Sequence, residues 1–371
     1  MSTPSNRRLT TLALGAVPIV ALGGLMSIDH IPGTDISLTV PYAAQGPGPT
    51  VDTLSNVEGK DVVEISGAET YETSGQLNMT TVAVRTNMSL SQAIGRWLTT
   101  NDTIVPLETV IPTGTSSEEM QEANQQAFVQ SEAAATVTAM NYLDIPVHVV
   151  VAGVMDDSAA VDRVKPEDVV LAVDGTEVSE PAEVQELIRA KAPGDEVTLT
   201  LENNGQEREE TITLGEHPHD SKIPLLGVTM SSAPRDGMNV TYNLQDVGGP
   251  SAGMMFSLAV IDKLTEDDLT EGHFVAGTGT ISEDGTVGPI GGIKHKVEAS
   301  QEAGAELFLA PAANCEAATS RDHGDMVIAS VETSTMPSTP SKTSPAGQRL
   351  RPARNNLRVT LRLFRGGERK A

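Results

Sequence analysis

The chain contains a single cysteine, Cys315, among its 371 residues. An intrachain disulfide and a cysteine-based metal cluster are therefore excluded, and the thiol is interpreted as a small buried side chain. The seven histidines show no zinc-site spacing. His217 and His219 flank a proline in a linker, and His295 is expected at the surface beside Lys294. The sequence predicts no metal and no other cofactor.

Positive charge is also scarce. The chain has 25 Lys and Arg residues against 50 Asp and Glu residues, which gives a formal net charge of -25. Because the phosphate backbone repels a strongly acidic protein, nucleic acid is not expected as a partner. The length, in contrast, is sufficient for two or three domains with cores of their own.

Charge is absent altogether from residues 9–28, a run of 20 residues that follows Arg7 and Arg8. As a helix this run would extend roughly 30 Å, the thickness of the hydrocarbon core of a bilayer. The two arginines favour a cytoplasmic segment at residues 1–8, an uncleaved single-pass transmembrane anchor in the plasma membrane, and an extracytoplasmic bulk. A cleaved signal peptide is the alternative, although no small-x-small site closes the run convincingly.

The next two segments differ in composition and in hydrophobic pattern. Residues 29–49 are rich in Pro, Gly and small residues and are expected to form an extended lead-in. Residues 50–144 are predicted to be an α/β region. Within that region the pattern indicates two β-runs and two helices, at residues 62–66, 77–84, 90–98 and 116–142. Ser116 and Glu119 have the spacing of a capping box at the start of the longer helix.

Residues 145–215 combine several short strands with one helix. The pattern places strands at 147–151, 168–173, 196–201 and 210–214, a helix at 180–190, and a turn at Asn204-Gly205. With Ser158-Ala159-Ala160 ahead of Lys165-Pro166-Glu167-Asp168, this segment resembles a bacterial PDZ domain, although Glu167 stands where that family has glycine. The resemblance implies capture of an extended peptide along a sheet edge. A small β-rich domain without a ligand is the alternative.

A small-residue turn, Gly248-Gly249-Pro250-Ser251-Ala252-Gly253, precedes a helical pattern over residues 251–264. Ser251 is thereby predicted at a helix N-terminus, where unpaired N–H groups and the positive dipole end can hold a developing oxyanion. Gly249 permits close approach of a substrate carbonyl. Taken alone, the motif is more typical of a serine that only caps its helix.

A second Gly-led helix is predicted over residues 294–303, after a strand at 274–281. Lys294 lies in its first turn, 43 residues after Ser251, where the helix dipole disfavours a positive charge. Partial burial would lower the pKa of Lys294 further and let it accept the serine proton. A phosphate-binding role is less well supported, because Gly292-Ile293-Lys294-His295 lacks the Gly-Lys-Ser/Thr of a Walker motif.

Together these motifs resemble the proteolytic domain of Lon proteases. Its order and spacing are matched by Gly249-Pro250-Ser251-Ala252-Gly253, Gly277-Thr278-Gly279-Thr280, Gly288-Pro289-Ile290-Gly291-Gly292-Ile293-Lys294, and Pro311 with Asn314. That family uses a Ser-Lys dyad. The resemblance therefore implies Ser251 as nucleophile, Lys294 as general base and Thr278 beside the lysine. Gly249, Pro250 and Ala252 would support the serine, and Lys296 is expected to point to nearly the opposite side of its helix.

The whole chain resembles membrane-anchored, PDZ-containing Lon-like proteins without an ATPase module. The expected fold is α+β: a transmembrane helix, a PDZ-like domain and a Lon-type proteolytic domain over residues 226–332. The runs at 62–84 resemble the opening strands of that proteolytic domain, so the PDZ-like segment is predicted to be inserted within it. The implied function is ATP-independent cleavage of extended or unfolded polypeptides, with a homo-oligomeric ring suggested by the family. A non-catalytic, membrane-tethered PDZ adaptor with a degenerate Lon-like domain is the alternative.

Two segments depart from the family pattern. Lon proteases commonly carry histidine on the strand before the serine loop, whereas this chain has Val240-Thr241-Tyr242-Asn243. Residues 333–371 are rich in Ser, Thr and Pro and then in Arg. They are predicted to form a disordered, basic, low-complexity tail. A reading-frame change in the gene is a second explanation for that reversal of charge.

Overall fold

A computed structural model describes residues 16–17, 22–31, 33–34, 36–57, 59–156, 158–217, 220–235, 237–244, 247–331 and 362–364. The strands are β1 (Tyr42–Asp52), β2 (Asn56–Val57), β3 (Lys60–Asp61), β4 (Val63–Ser66), β5 (Gln76–Arg85), β6 (Thr103–Pro106), β7 (Val147–Val154), β8 (Val169–Val173), β9 (Thr176–Glu177), β10 (Glu196–Asn203), β11 (Gln206–Thr213), β12 (Gly215–His217), β13 (Asp220–Leu225), β14 (Val228–Pro234), β15 (Asn239–Tyr242), β16 (Phe274–Gly277), β17 (Thr280–Ile281), β18 (Val287–Gly288), β19 (Leu307–Pro311), β20 (Val327–Val331) and β21 (Arg362–Phe364). The main helices are α1 (Leu90–Thr99), α2 (Ser117–Tyr142), α3 (Pro181–Arg189), α4 (Gly253–Leu264), α5 (Ile293–Ala303) and α6 (Cys315–Ala318).

A seven-stranded sheet forms the larger unit, in the order β21-β20-β19-β16-β5-β1-β6. The neighbours β5, β16, β19 and β20 run parallel to one another. Alternate side chains point to opposite faces of the sheet. Leu309 packs in one core with α2 and α4, whereas Phe308 and Ala310 pack in another with α5 and α6. Helices therefore cover both faces of the sheet.

The smaller unit is a separate sheet in the order β11-β10-β8-β7-β14, with β9 beside β8. Its core includes Val149, Leu199 and Ile212 from the strands and Val184 and Ile188 from α3. The observed strands and α3 lie within a few residues of the predicted ones. Its edge strand β14 follows the segment predicted as PDZ-like and pairs with β7, so the folded unit extends to residue 234.

The smaller unit interrupts the larger one in sequence. Strand β5 precedes it and β16 follows it, yet the two pair in parallel, with Leu77 opposite Val275. Strands β4 and β15, which also lie on either side of the smaller unit, form a two-stranded sheet. Residues from both sides of the smaller unit therefore build one core, and the smaller unit is an insertion in the larger.

The lead-in predicted over residues 29–49 contains most of β1, the first strand of the main sheet. Ala43 and Ala44 on β1 are fully buried, and the pairing with β5 continues past a register shift between Pro47 and Thr50. A Cβ atom on Gly48 would lie 2.4 Å from Thr81 Oγ1, so only glycine permits this approach. The Pro and Gly residues that suggested irregular structure belong to a bulged strand.

The predicted single-pass membrane location is not supported by the structure. None of the described helices is both long and apolar enough to cross a bilayer. Most of the predicted anchor at residues 9–28, and all of residues 1–8, lie outside the described part of the chain. Within that run the described helical residues are 16–17 and 22–27.

The C-terminal prediction is also corrected at one point. Residues 362–364, which were expected to be disordered, form β21 and pair antiparallel with β20 at the edge of the main sheet. The other residues of the predicted tail, 333–361 and 365–371, lie outside the described residues.

Candidate active site

Ser251 lies in a short 3₁₀ turn, Pro250–Ala252, that leads directly into α4. Gly249 enters the turn with a φ of 86°, a left-handed conformation that glycine adopts without strain. The carbonyl of Ser251 accepts hydrogen bonds from Thr278 Oγ1 at 3.0 Å and from the N–H of Gly279 at 2.9 Å. The backbone around the serine is therefore fixed by its neighbours.

The lysine that reaches Ser251 is Lys296, which corrects the predicted Lys294. Lys296 Nζ lies 2.7 Å from Ser251 Oγ and 2.8 Å from Thr278 Oγ1. Lys294 is instead exposed at the surface. The structure thus brings together two of the predicted site residues, Ser251 and Thr278, with a lysine that had been expected to point away.

Helix register explains the difference between the two lysines. Ile293, Lys296, Val297 and Ser300 are all buried, and their i, i+3, i+4, i+7 spacing defines one face of α5. Lys294, two residues before Lys296, projects about 200° away from that face. A helical projection of residues 293–303 contains this signal, because Lys296 falls within the apolar stripe.

Burial sets the protonation of Lys296. Lys296 is only 2% exposed. The loss of solvation disfavours the charged form and lowers the pKa of Lys296 to about 7. The position of Lys296 near the N-terminus of α5 acts in the same direction, since the positive end of the helix dipole disfavours an ammonium. At neutral pH a substantial fraction of this lysine is therefore unprotonated and able to accept a proton.

Ser251 and Lys296 are carried by elements on opposite faces of the main sheet. Ser251 precedes α4 on one face, and Lys296 belongs to α5 on the other. The two side chains meet beyond the C-terminal end of β16. One continuous strand was predicted over residues 274–281, but β16 ends at Gly277 and β17 begins only at Thr280. A Cβ atom on Gly277 would lie 2.6 Å from Met255 Sδ, so the strand end is closely packed against α4. Sites at the carboxyl ends of parallel strands are common in α/β folds.

A cleft of about 430 Å³ opens at Ser251 and Lys296. Its walls are residues 79–82 of β5 and residues 247–252 of the serine loop. Pairing of β5 with β16 ends at Met79 opposite Gly277, whereas β5 continues to Arg85. The cleft therefore borders a length of strand edge beyond the end of β16, and an extended peptide could pair there.

The loop before α5 is also held in place. Asn314 accepts a hydrogen bond from the N–H of Ile290 at 2.9 Å and donates one to the carbonyl of Ile290 at 3.0 Å. Because this loop leads into the helix that carries Lys296, the paired hydrogen bonds of Asn314 help to set the position of the lysine. Cys315, the next residue, is buried in the core beneath α5.

His295 and Tyr242 pack among residues of the core. His295 is corrected from surface to core: it is 3% exposed, and its Nε2 lies 3.0 Å from Thr103 Oγ1. Tyr242 lies on β15, the strand on which the resemblance would place a histidine. Its hydroxyl lies 2.8 Å from Thr136 Oγ1, its ring packs on Phe256, and burial raises its pKa. Neither contact involves the serine or the lysine.

A second depression lies in the inserted unit. It has a volume of about 560 Å³ and runs between α3 and the edge strand β14. Ile188 on the helix and Val228 and Met230 on the strand give it an apolar floor, and His217 lines one end. His219 lies outside the described residues. An edge strand beside a helix is the geometry in which a peptide adds to a sheet.

Comparison with protein-family models identifies both units. Residues 119–214 match the PDZ domain, and residues 245–331 match the Lon protease (S16) C-terminal proteolytic domain. The PDZ match begins within α2 and ends before β14, so its limits differ from those of the folded unit. The chain therefore contains a PDZ domain and a Lon-type proteolytic domain.

Two individual relatives agree with the Lon-type assignment. A Lon protease of Phenylobacterium zucineum is 35% identical over 126 residues, which are 33% of this chain and 16% of that protein. A Lon protease of Roseiflexus castenholzii is 48% identical over 66 residues, 18% of this chain and 8% of that protein. Among solved structures, the PDZ domain of an SdrC-like protein of Listeria monocytogenes matches with 25% identity and a TM-score of 0.21, over 22% of this chain and 86% of that domain. The chain thus spans 16% or less of the length of these Lon proteases.

Proposed function

We propose that the protein is a serine endopeptidase that cleaves extended polypeptide segments without ATP, with Ser251 as nucleophile and Lys296 as general base. The observation that carries this proposal is the 2.7 Å contact between Lys296 Nζ and Ser251 Oγ. A lysine whose pKa is lowered to about 7 is suited to deprotonate a hydroxyl near neutral pH. Serine and lysine together complete the minimum required for acyl transfer.

The proposed reaction begins when neutral Lys296 takes the proton of Ser251 Oγ as the oxygen attacks a substrate carbonyl. Thr278 assists, because its hydroxyl accepts a hydrogen bond from Lys296 Nζ while it donates to the carbonyl of Ser251. The N–H groups of Ser251 and Ala252 would hold the oxyanion. Lys296 then protonates the leaving amine, and water activated by the same lysine releases the acyl group.

Two surfaces support polypeptides as substrates. The cleft at Ser251 borders the edge of β5, where main-chain hydrogen bonds would align an extended segment with the nucleophile. The groove beside β14 in the PDZ domain would capture another part of the same polypeptide. Strand β14 ends at Pro234, 17 residues before Ser251. The segment that captures a substrate and the residue that cleaves it would therefore be close together in the sequence of the protease.

The decisive experiment compares Ser251→Ala, Lys296→Met and Lys294→Met on an unstructured protein substrate. Loss of the nucleophile or of the base should lower kcat/KM by at least about 1,000-fold. The Lys294→Met control removes an exposed lysine from the same helix and should keep wild-type activity. Full activity of Lys296→Met, or equal loss in Lys294→Met, would refute the assignment.

The same assay separates an enzyme from a peptide-binding adaptor. An adaptor would bind peptides in the β14 groove, and the wild-type chain would show no Ser251-dependent cleavage.

The pH dependence tests the base. For the enzyme, kcat/KM should rise about tenfold per pH unit below pH 7 and level off above it, because only neutral Lys296 can act as the base. A flat profile between pH 5 and pH 9 would contradict a lysine base.

A further inference from the structure

Ser131, on helix α2, contacts the turn that carries the nucleophile. Its Oγ donates a hydrogen bond to the carbonyl of Pro250 at 3.0 Å, and the residue is 5% exposed. A Cβ atom on Gly253 would lie 2.5 Å from the same oxygen. The hydroxyl is therefore enclosed between the peptide before Ser251 and the first residue of α4. The 119 residues that separate Ser131 from Pro250 hide this contact from any local sequence pattern.

Helix α2 holds the turn at a second point. The carbonyl of Asn124 accepts a hydrogen bond from the N–H of Gly249 at 2.8 Å. Asn124 and Ser131 are seven residues apart and so lie on the same face of the helix. Since Asn124 uses only its backbone in this contact, Ser131 is the side chain through which the contact can be tested.

The hydrogen bond from Ser131 constrains more than one carbonyl. The carbonyl of Pro250 and the N–H of Ser251 belong to one planar peptide group, and the two point in opposite directions when the bond is trans. The described chain contains no cis peptide bond. While Ser131 holds the carbonyl toward α2, the N–H of Ser251 must therefore point away from α2.

We propose that Ser131 is a positioning residue that orients the N–H of Ser251 as an oxyanion donor. The inference rests on the proposed function, because an oxyanion forms only if Ser251 attacks a carbonyl. Without the hydroxyl of Ser131 the carbonyl of Pro250 loses a hydrogen-bond donor, and the peptide group between Pro250 and Ser251 is less restrained against rotation about the bonds on either side of it. Rotation would turn the N–H away from the reacting oxygen while leaving the walls of the cleft in place.

Thr138 provides a matched control on the same helix face. It lies seven residues after Ser131, is 2% exposed, and donates from Oγ1 to the carbonyl of Ser282 at 2.8 Å. Thr138→Val therefore removes a buried hydroxyl bond of the same kind from the same helix, at a loop that does not carry the nucleophile. Any loss of activity due only to a weakened α2 should appear in both variants.

The test measures kcat, KM and inhibition by a peptide aldehyde for wild type, Ser131→Ala and Thr138→Val. The hemiacetal that the aldehyde forms with Ser251 carries the oxygen that the N–H groups would hold. Ser131→Ala should lower kcat by about 10- to 100-fold, somewhat less than deletion of an oxyanion donor, and raise the aldehyde Ki by a similar factor. KM and the pH midpoint should stay unchanged, because the cleft and the burial of Lys296 are retained.

Two results would overturn the inference while leaving the proposed function intact: wild-type kcat and Ki in Ser131→Ala, or an equal loss in Thr138→Val. Absence of Ser251-dependent turnover in the wild type would refute the proposed function and the inference with it. If Ser131→Ala does not fold, Ser131→Cys retains the size of the side chain and a weaker donor. An intermediate kcat with unchanged KM is then expected, and a wild-type kcat would refute the role.

Discussion

The PDZ domain and the proteolytic domain each contain a charged side chain that is almost fully buried, Asp168 and Lys296, and the surroundings of these two side chains differ. Asp168 in the PDZ domain is 0% exposed, and Lys296 in the proteolytic domain is 2% exposed. Asp168 accepts hydrogen bonds from the N–H of Lys165 at 2.7 Å, from Asn203 at 2.8 Å and from Arg208 at 3.1 Å. Lys296 instead contacts the hydroxyls of Ser251 and Thr278.

The pKa values follow these surroundings. Burial alone would raise the pKa of Asp168, but the hydrogen bonds and charge of Arg208, together with Lys165 and Asn203, hold it below its usual value. Burial lowers the pKa of Lys296 to about 7. A buried charge whose hydrogen-bonding capacity is satisfied keeps its charge and stabilises a turn, whereas one without a counter-charge gives up its charge and becomes available for proton transfer.

Removal of the satisfied charge should have the largest effect on stability. Asp168→Ala should lower the free energy of unfolding by about 3–5 kcal/mol at pH 7, because it leaves several donors without their acceptor. Denaturant unfolding of the full chain, followed by a probe in the PDZ domain, measures this change. Because the pKa of Asp168 is lowered in the folded state, its contribution is complete above pH 4 and is lost as the pH falls further.

Glu210 offers the matched control, since it also pairs with Arg208 but at 3.6 Å and in a partly exposed position. Glu210→Ala should lower the free energy of unfolding by less than about 1 kcal/mol. Equal losses in the two variants would show that burial does not distinguish these carboxylates.

Removal of Lys296, the buried charge without a counter-charge, should change the free energy of unfolding in the opposite direction. Lys296→Met should raise the free energy of unfolding by about 2–3 kcal/mol below pH 7, because the folded wild type must then hold a buried ammonium. Between pH 7 and pH 10.5 the unfolded chain binds more protons than the folded one, so the wild type gains stability as the pH rises. The difference between variant and wild type should therefore close across this range.

Thermal unfolding at several pH values measures that difference, and the exposed Lys294→Met serves as its control. A stability difference for Lys296→Met that stays constant from pH 6 to pH 10 would show that the lysine is not desolvated in the folded protein.

A smaller effect is expected at the turn that Asp168 closes. Glu167 adopts a φ of 73°, the left-handed conformation that costs a residue with a side chain roughly 1–2 kcal/mol. Glu167→Gly removes that strain but increases the freedom of the unfolded chain, so a net gain of about 0.5 kcal/mol is expected. Glu177→Gly on strand β9 should instead lower stability, and a loss in both variants would argue against strain at residue 167.

Features that depend on neighbouring residues could be predicted from the sequence. The N-terminus of α2 is an example, because the hydrogen bonds between Ser116 and Glu119 span three residues. The serine turn was also predicted, since its glycines and proline specify it locally. The expectation that Lys294 would reach Ser251 relied on its place in the first turn of the predicted helix and on the resemblance, whereas the buried face of α5 brings Lys296 to the serine.

Other features depend on residues distant in sequence. The first part of β1 was predicted as an extended lead-in because its Pro and Gly residues are locally typical of irregular structure, whereas the close approach of Gly48 to Thr81 of β5 depends on a residue distant in sequence. The contact of Ser131 with Pro250 has no local signal at all. Thr278 was predicted by resemblance, but the break in the strand that frees it from the sheet was not. Assembly into a ring stays a prediction.

The position of β5 in the main sheet also determines the order in which the two domains can fold during translation. Strand β5 leaves the ribosome early, but its neighbour β16 begins only at residue 274. The PDZ domain is complete at residue 234 and can fold on its own core while one edge of β5 still lacks its partner. The nascent proteolytic domain must therefore remain open for nearly 190 residues of elongation. A chain with such long-range pairing folds slowly and exposes strand edges in the interval, so the rate of translation and the availability of chaperones should determine how much active protein a cell obtains.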